Sequence, residues 1–322
     1  NSAQVATFSG AGTRTIAAAG SGLIFSDIIN MTFAANEVAK TQLEQRVTAS
    51  AQYLAALNLT GSVDTYRSGL STGQVGTAGT WSSTSRTSNQ NVASAVAVVG
   101  QVSSAYPSCC IVGDSISANR DDLSGDSYGN HGYIPIGLYS GGASGAPIPY
   151  ANLARSGEKI QTLSGSGYDR RLPLLDYCSH VICGLGTNDI ADGLATMQSR
   201  YLTAWAKLKL NNRKVYQCLI GPKTTSTDSW ATETNQTISA GYTVGGVRDQ
   251  INAWILTQVG VTIDGVINAN PGIESATNPG KWLAGTTADG FHPNTAGHAA
   301  MAPYVTSVTS TWRVNASGYA TV

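Results

Sequence analysis

From Tyr106 onward, short apolar runs alternate with stretches whose apolar residues recur every three or four positions. Cys109–Val112, Val181–Cys183 and Val215–Ile220 are near-continuous apolar runs too short for helices. They predict strands of a parallel sheet buried on both faces. Between the last two, Leu194, Met197, Tyr201, Trp205 and Leu208 repeat at helical spacing and predict an amphipathic helix over 194–210. Val247, Ile251, Trp254, Ile255 and Val259 mark a second helix. Asn294 is the predicted cap of a third, running to about Val308. Strand–helix–strand alternation with right-handed crossovers implies an α/β fold, a doubly wound (flavodoxin-like) parallel sheet.

Before residue 106 the pattern differs. Val5–Phe8, Thr13–Ala17 and Ile28–Phe33 are short, rich in β-branched or aromatic residues, and punctuated by Gly10, Gly12, Gly20 and Gly22. Asn36–Leu57 reads as strands in this context, and Gly69–Asn91 as a surface loop or loosely held strands. The expected organisation is an N-terminal β-rich module over 1–105, a small β-sandwich or jelly-roll-like unit, followed by the α/β domain over 106–322.

Composition narrows the possible partners. The 322 residues are 42% hydrophobic and only 12% charged, with 19 basic and 19 acidic residues. A typical globular chain is about a quarter charged. A neutral chain without a basic cluster gains little from counterion release, so no nucleic-acid partner is expected. No apolar run approaches the roughly 20 residues of a membrane span. The chain opens on Asn1 without a secretory signal, as a processed or trimmed product would. Its low charge and its Gly, Ser, Thr and Asn content suit a protein that lives outside the cell. The five cysteines read chiefly as free buried thiols, with a Cys178–Cys183 bridge left open. The Cys and His residues show no metal-ligand spacing, and neither a metal nor another cofactor is expected.

In a doubly wound sheet, function collects at the carboxyl ends of the strands. The first run leads into Gly113-Asp114-Ser115-Ile116, and the second into Gly184-Leu185-Gly186-Thr187-Asn188-Asp189. Asp289-Gly290-Phe291-His292-Pro293 stands near the end of the chain. A strand-end serine, a histidine, and an acid three residues before it are the parts of a nucleophilic hydrolase. Ser115 needs His292 to accept its proton, and His292 needs Asp289 to fix its tautomer. Gly125-Asp126-Ser127-Tyr128-Gly129 matches the nucleophile elbow of α/β-hydrolases. No apolar strand precedes it, so Ser127 is expected to be a loop residue. Asp114 and Asp189 read as structural, as do His180 and His298; His131 is a lesser candidate for substrate contact.

Over about Tyr106–Trp312 these motifs, together with Asn152-Leu153-Ala154-Arg155-Ser156-Gly157, resemble the four blocks of the SGNH (GDSL-type) hydrolases, in order. Ile116 stands where leucine is more common. The resemblance implies an oxyanion hole formed by the Ser115 N–H, the Gly157 N–H and the Asn188 side chain. It also implies ester hydrolysis through an acyl-serine. Few Phe residues and no lid-like segment point to short acyl groups, acetyl above all. A β module ahead of such a core resembles carbohydrate O-acetylesterases, with Trp230 and Trp282 as candidate sugar-stacking surfaces. Two other readings stay open. One is a lipase, arylesterase or thioesterase for longer or aromatic acyl groups. The other is a non-catalytic glycan-binding or virion structural protein.

Overall fold

The computed structural model describes residues 106–313 except 128, 143, 144, 169 and 170, together with residues 7, 9–11, 26 and 27. The strands and the surface loop expected before residue 106 lie outside the described residues, apart from a small cluster. There the Asp27 carboxylate accepts from the N–H groups of Ser9 and Gly10 and from the Thr7 hydroxyl. The chain divides into two compact units, Asn1–Val98 and Val99–Val322.

In the second unit the elements follow in the order β1 (Cys109–Gly113), α1 (Tyr133–Tyr139), β2 (Tyr150–Asn152), α2 (Ile160–Ser164), β3 (His180–Gly184), α3 (Leu194–Leu208), β4 (Lys214–Cys218), β5 (Thr224–Ser226), β6 (Gln236–Ile238), α4 (Val247–Thr257), β7 (Gly265–Ile267) and α5 (Thr295–Thr309). Five strands form one sheet in the order β2-β1-β3-β4-β7, with every neighbouring pair parallel. β5 and β6 make a separate antiparallel pair. The chain moves outward from β1 to β2, then reverses across β1 to β3. The reversal opens a crevice between the carboxyl ends of β1 and β3.

β1 is buried at every position because helices cover both faces of the sheet. α1 packs against α5, and α2 and α4 pack against α3. The α3 stripe is the expected one: Met197, Tyr201, Trp205 and Leu208 are buried, and Trp205 stacks on Trp254 of α4. Asn294 caps α5, its side chain accepting from Gly297 N at 3.0 Å.

Three boundaries differ from the apolar pattern. α3 stops at Leu208, leaving Leu210 exposed, and α4 stops at Thr257, leaving Val259 exposed. β4 ends at Cys218, although the apolar run continues to Ile220. Buried side chains take over the Ile220 backbone: Asn252 Oδ1 accepts its N–H, and Arg248, Asn252 and Asn270 all donate to its carbonyl. Side chains satisfy those polar groups where a strand ladder would have done so. The Arg248 charge is buried in this role and compensated by Glu274.

All five cysteines are free thiols. The Cys178–Cys183 pairing does not form: Cys178 lies against Cys110, and Cys183 is buried within β3. Among the described residues, no helix is long and apolar enough to cross a membrane.

Candidate active site

The loop after β1 folds back over the end of the sheet. Asp114 Oδ1 accepts from Ile116 N at 3.0 Å, and Ala118 N donates to the Asp114 carbonyl at 2.9 Å. The Ser117 side chain drops between Gly113 and Gly184, which are register partners on β1 and β3. A Cβ at either glycine would stand 2.2 or 2.1 Å from Ser117 Oγ. Small residues at both strand ends therefore let the loop close over the sheet, with Ser115 on it.

Asp289 and His292 arrive on the loop before α5. Asp289 Oδ1 accepts the backbone N–H groups of Phe291 and His292 at 2.8 and 2.7 Å. Its Oδ2 faces His292 Nδ1 at 2.6 Å. Burial works to raise the Asp289 pKa, but the hydrogen bonds from His292 and Phe291 outweigh it and hold the carboxyl below its ordinary value. With Nδ1–H donating to a carboxylate, Nε2 is the acceptor, and it meets Ser115 Oγ at 2.8 Å. Ser115, His292 and Asp289 thus stand in one hydrogen-bonded line, although 177 residues separate the first two.

Gly157 and Asn188 belong to a second, linked group. Leu153 N and Arg155 N donate to the Ile111 and Gly113 carbonyls, carrying the chain beyond β2 alongside the end of β1. Asn188 Nδ2 donates to the Glu158 carbonyl at 2.9 Å, which ties the turn after β3 to the residue following Gly157. Glu158 is buried and paired with Arg171, which also donates to the Leu153 carbonyl at 2.8 Å. Gly157 has φ +77°, and a Cβ built there meets nothing within 4 Å, so open space lies in front of its backbone. Among the described residues, no acceptor takes the N–H of Ser115 or of Gly157.

Buried carboxyls underlie both groups. Asp189 Oδ2 accepts from Ile160 N at 2.9 Å. Burial raises its pKa, and burial pushes Asp114 up to about 7, helped by the charge of Asp189. Both hold loops. His298 is fully buried, accepting from Tyr133 N and donating to the Arg120 carbonyl, so it ties α1 to the Ser115 loop. His180 stacks on Trp312 at the amino end of the sheet, and burial lowers its pKa to about 4. His131 contacts the Asp122 carbonyl at 3.0 Å. Ser127 is an exposed loop residue.

Trp282 does not offer a sugar surface. It is 1% exposed, and its Nε1 donates to the Gly290 carbonyl from beneath. Trp230 is half-buried against Gly290, and its Nε1 donates to Thr224. Both rings support the loop that carries Asp289 and His292.

The sequence reading did not single out Asp121, whose Oδ2 lies 3.7 Å from His292 Nδ1. It sits at φ +65° in the loop after Ser115. Its only sequence signal, a second acid six residues beyond the serine, is indistinguishable from ordinary loop content. Asp121, Asp289 and His292 also cluster closely enough to offer three ligand atoms to a cation. Asp289 already occupies the His292 nitrogen that such an ion would need.

A hydroxyl, an imidazole and a carboxylate hydrogen-bonded in line beyond the carboxyl end of β1 are an arrangement suited to acyl transfer. Comparison with solved structures finds a GDSL-like lipase from Bacteroides thetaiotaomicron (16% identity, 63% of this chain and 87% of that one, TM-score 0.44). It also finds an acetylxylan esterase from Geobacillus stearothermophilus (16% identity, 65% of this chain and 97% of that one, TM-score 0.42). Comparison with curated proteins finds no match. A family model described as the GDSL-like Lipase/Acylhydrolase family matches residues 111–300, more than half of the chain and every residue of the site described above. The chain belongs to the GDSL-like lipase/acylhydrolase family and is a carboxylic ester hydrolase.

Proposed function

We propose that this esterase removes short acyl groups, acetyl foremost, from a carbohydrate, using Ser115 as nucleophile. The observation that carries the proposal is the unbroken hydrogen-bond line from Ser115 through His292 to Asp289. Ser115 Oγ attacks the ester carbonyl carbon while its proton passes to His292 Nε2. Asp289 remains ionised and stabilises the imidazolium. The negative charge on the former carbonyl oxygen is met by the Ser115 and Gly157 N–H groups and the Asn188 amide. Collapse expels the alcohol, which takes the proton from His292, and leaves the acyl group on Ser115. Water then attacks with His292 as base, releasing the carboxylic acid and restoring the serine.

What supports a short acyl group is the small cavity at the strand ends, about 20 Å³, lined by Ile116, Leu185, Thr187, Phe291 and Met301 among others. That is room for about one water, a fit for a methyl group rather than an alkyl chain. What supports a carbohydrate is the uncharged polar surface and the exposure of Arg155, Ser156 and Gly157 beside the crevice. On the same grounds we place the protein outside the cell or on a virion, with residues 1–105 as a glycan-presenting module.

The test combines an aryl-ester series from acetate to octanoate with acetate release from acetylated polysaccharides. We expect kcat/KM to be highest for acetate and turnover to vanish in Ser115→Ala but persist in Ser127→Ala. Rising kcat/KM with chain length would assign the site to lipids or thioesters. Turnover surviving in Ser115→Ala would remove the nucleophile assignment.

A further inference from the structure

We propose that Cys110 and Cys178 are an oxidisable pair that closes into a disulfide across the amino ends of β1 and β3. The two Sγ atoms are 2.9 Å apart, inside ordinary van der Waals contact. Their neighbours are clamped together. Ser108 N donates to Ser179 Oγ at 3.0 Å, Ser179 N to Ser108 Oγ at 3.2 Å, and His180 N to the Ser108 carbonyl at 3.0 Å. Ser108 Oγ donates to the Tyr177 carbonyl. The residues flanking both cysteines are thus fixed by hydrogen bonds between the two segments, and the sulfurs are held face to face. Among the described residues, no other two sulfurs are in contact. Cys109, Cys183 and Cys218 are buried in the interior.

The accessibilities suit stepwise exchange. Cys178 is half-buried and reachable, whereas Cys110 is buried. The oxidant is a small disulfide of the oxidised-glutathione class. The Cys178 thiolate attacks one of its sulfurs and expels the other as a thiolate. Cys110, giving up its proton, then attacks Cys178 Sγ and expels the second small thiol. The two protein thiols lose two electrons and two protons, and the oxidant becomes two thiols. Burial raises the pKa of the Cys110 thiol and still does so once Cys178 is capped, so this second attack is the slow one and quickens with rising pH.

The bond would close a loop spanning a separation of 68 residues and tie together the two strands whose opposite ends lead to Ser115 and Asn188. It adds nothing to the chemistry, so it changes stability and not turnover.

The full chain is incubated with oxidised glutathione or with dithiothreitol, and thiols are titrated after denaturation. We expect five thiols after reduction and three after oxidation. A Cys110–Cys178 cross-linked peptide should appear in a non-reducing tryptic map. The oxidised protein should melt about 10 °C higher, the shift such a loop closure gives a domain of this size, with unchanged aryl-acetate turnover. Cys178→Ser should titrate four thiols under both conditions and show no shift in melting. Five thiols after oxidation, a glutathione adduct persisting on Cys178, or a cross-link through another cysteine would each overturn the pairing.

Discussion

Asp114 neighbours Ser115, and among the described residues no cation contributes to the electrostatics of its carboxyl. Oδ1 accepts from Ile116 N and Oδ2 is buried without a hydrogen-bond partner. Burial puts its folded pKa at about 7, above the ordinary 3.8. A group raised in this way favours the folded state fully below the unfolded pKa and loses that contribution as pH rises through the folded one. Asp114→Asn keeps the acceptor for Ile116 and never ionises. Its melting temperature should therefore gain on the wild type between pH 4 and 7; a pH-independent difference would mean that Asp114 does not titrate in this range. Asn188 offers a kinetic test. One of its amide hydrogens is taken by the Glu158 carbonyl, and the oxyanion role proposed above would fall to the second. Asn188→Ala should lower kcat about a hundredfold or more, with a smaller effect on KM. A normal kcat with a raised KM would make Asn188 a substrate-positioning residue.

The loop Asp289–Pro293 is a mostly self-supporting element. It closes on its own hydrogen bonds, from Phe291 and His292 to Asp289 and from Thr287 Oγ1 to the His292 carbonyl, and α5 begins directly after it. Such local closure explains why a four-residue motif in the sequence reports a real geometry. Its tolerance to change depends on distant residues. Gly290 has φ +71°, and a Cβ there would stand 2.1 Å from the Thr224 carbonyl and 2.5 Å from the Trp230 ring. Gly290→Ala should displace acid and base together. We expect kcat to fall about a hundredfold, as for an ångström-scale misplacement, while the melting temperature drops only a few degrees. A melting loss with unchanged kcat would show that the loop shifts without moving His292. The helices were legible for the same local reason. Arg248 and Asn252 on α4 were not: nothing in the sequence marks a polar side chain as buried until its partner, the Ile220 backbone, is in place.

The order β2-β1-β3-β4-β7 explains where the site lies. Ser115 and Asn188 follow β1 and β3, the neighbours flanking the reversal, and α5 begins directly after the loop bearing Asp289 and His292. The site residues all lie within Val99–Val322. A chain lacking residues 1–105 should therefore retain aryl-acetate turnover if it still melts cooperatively. Its deacetylation of a polymer should fall much further, because binding energy remote from the reacting bond is lost. Equal losses on both substrates in a stably folded truncation would remove the glycan-presenting role.

Local sequence by itself determined the buried strands, the helical stripes, the Asn294 cap and the Asp289–His292 loop. Each depends on contacts within a few residues or on a repeat with the period of its element. The pairings between distant segments were decided by tertiary structure alone. Cys178 meets Cys110 and not Cys183, Trp282 is enclosed beneath the loop instead of facing a sugar, and Asp121 approaches His292. Strand order and crossover geometry set these contacts, and no local pattern encodes which of several chemically equivalent cysteines, tryptophans or acids the folded chain brings together.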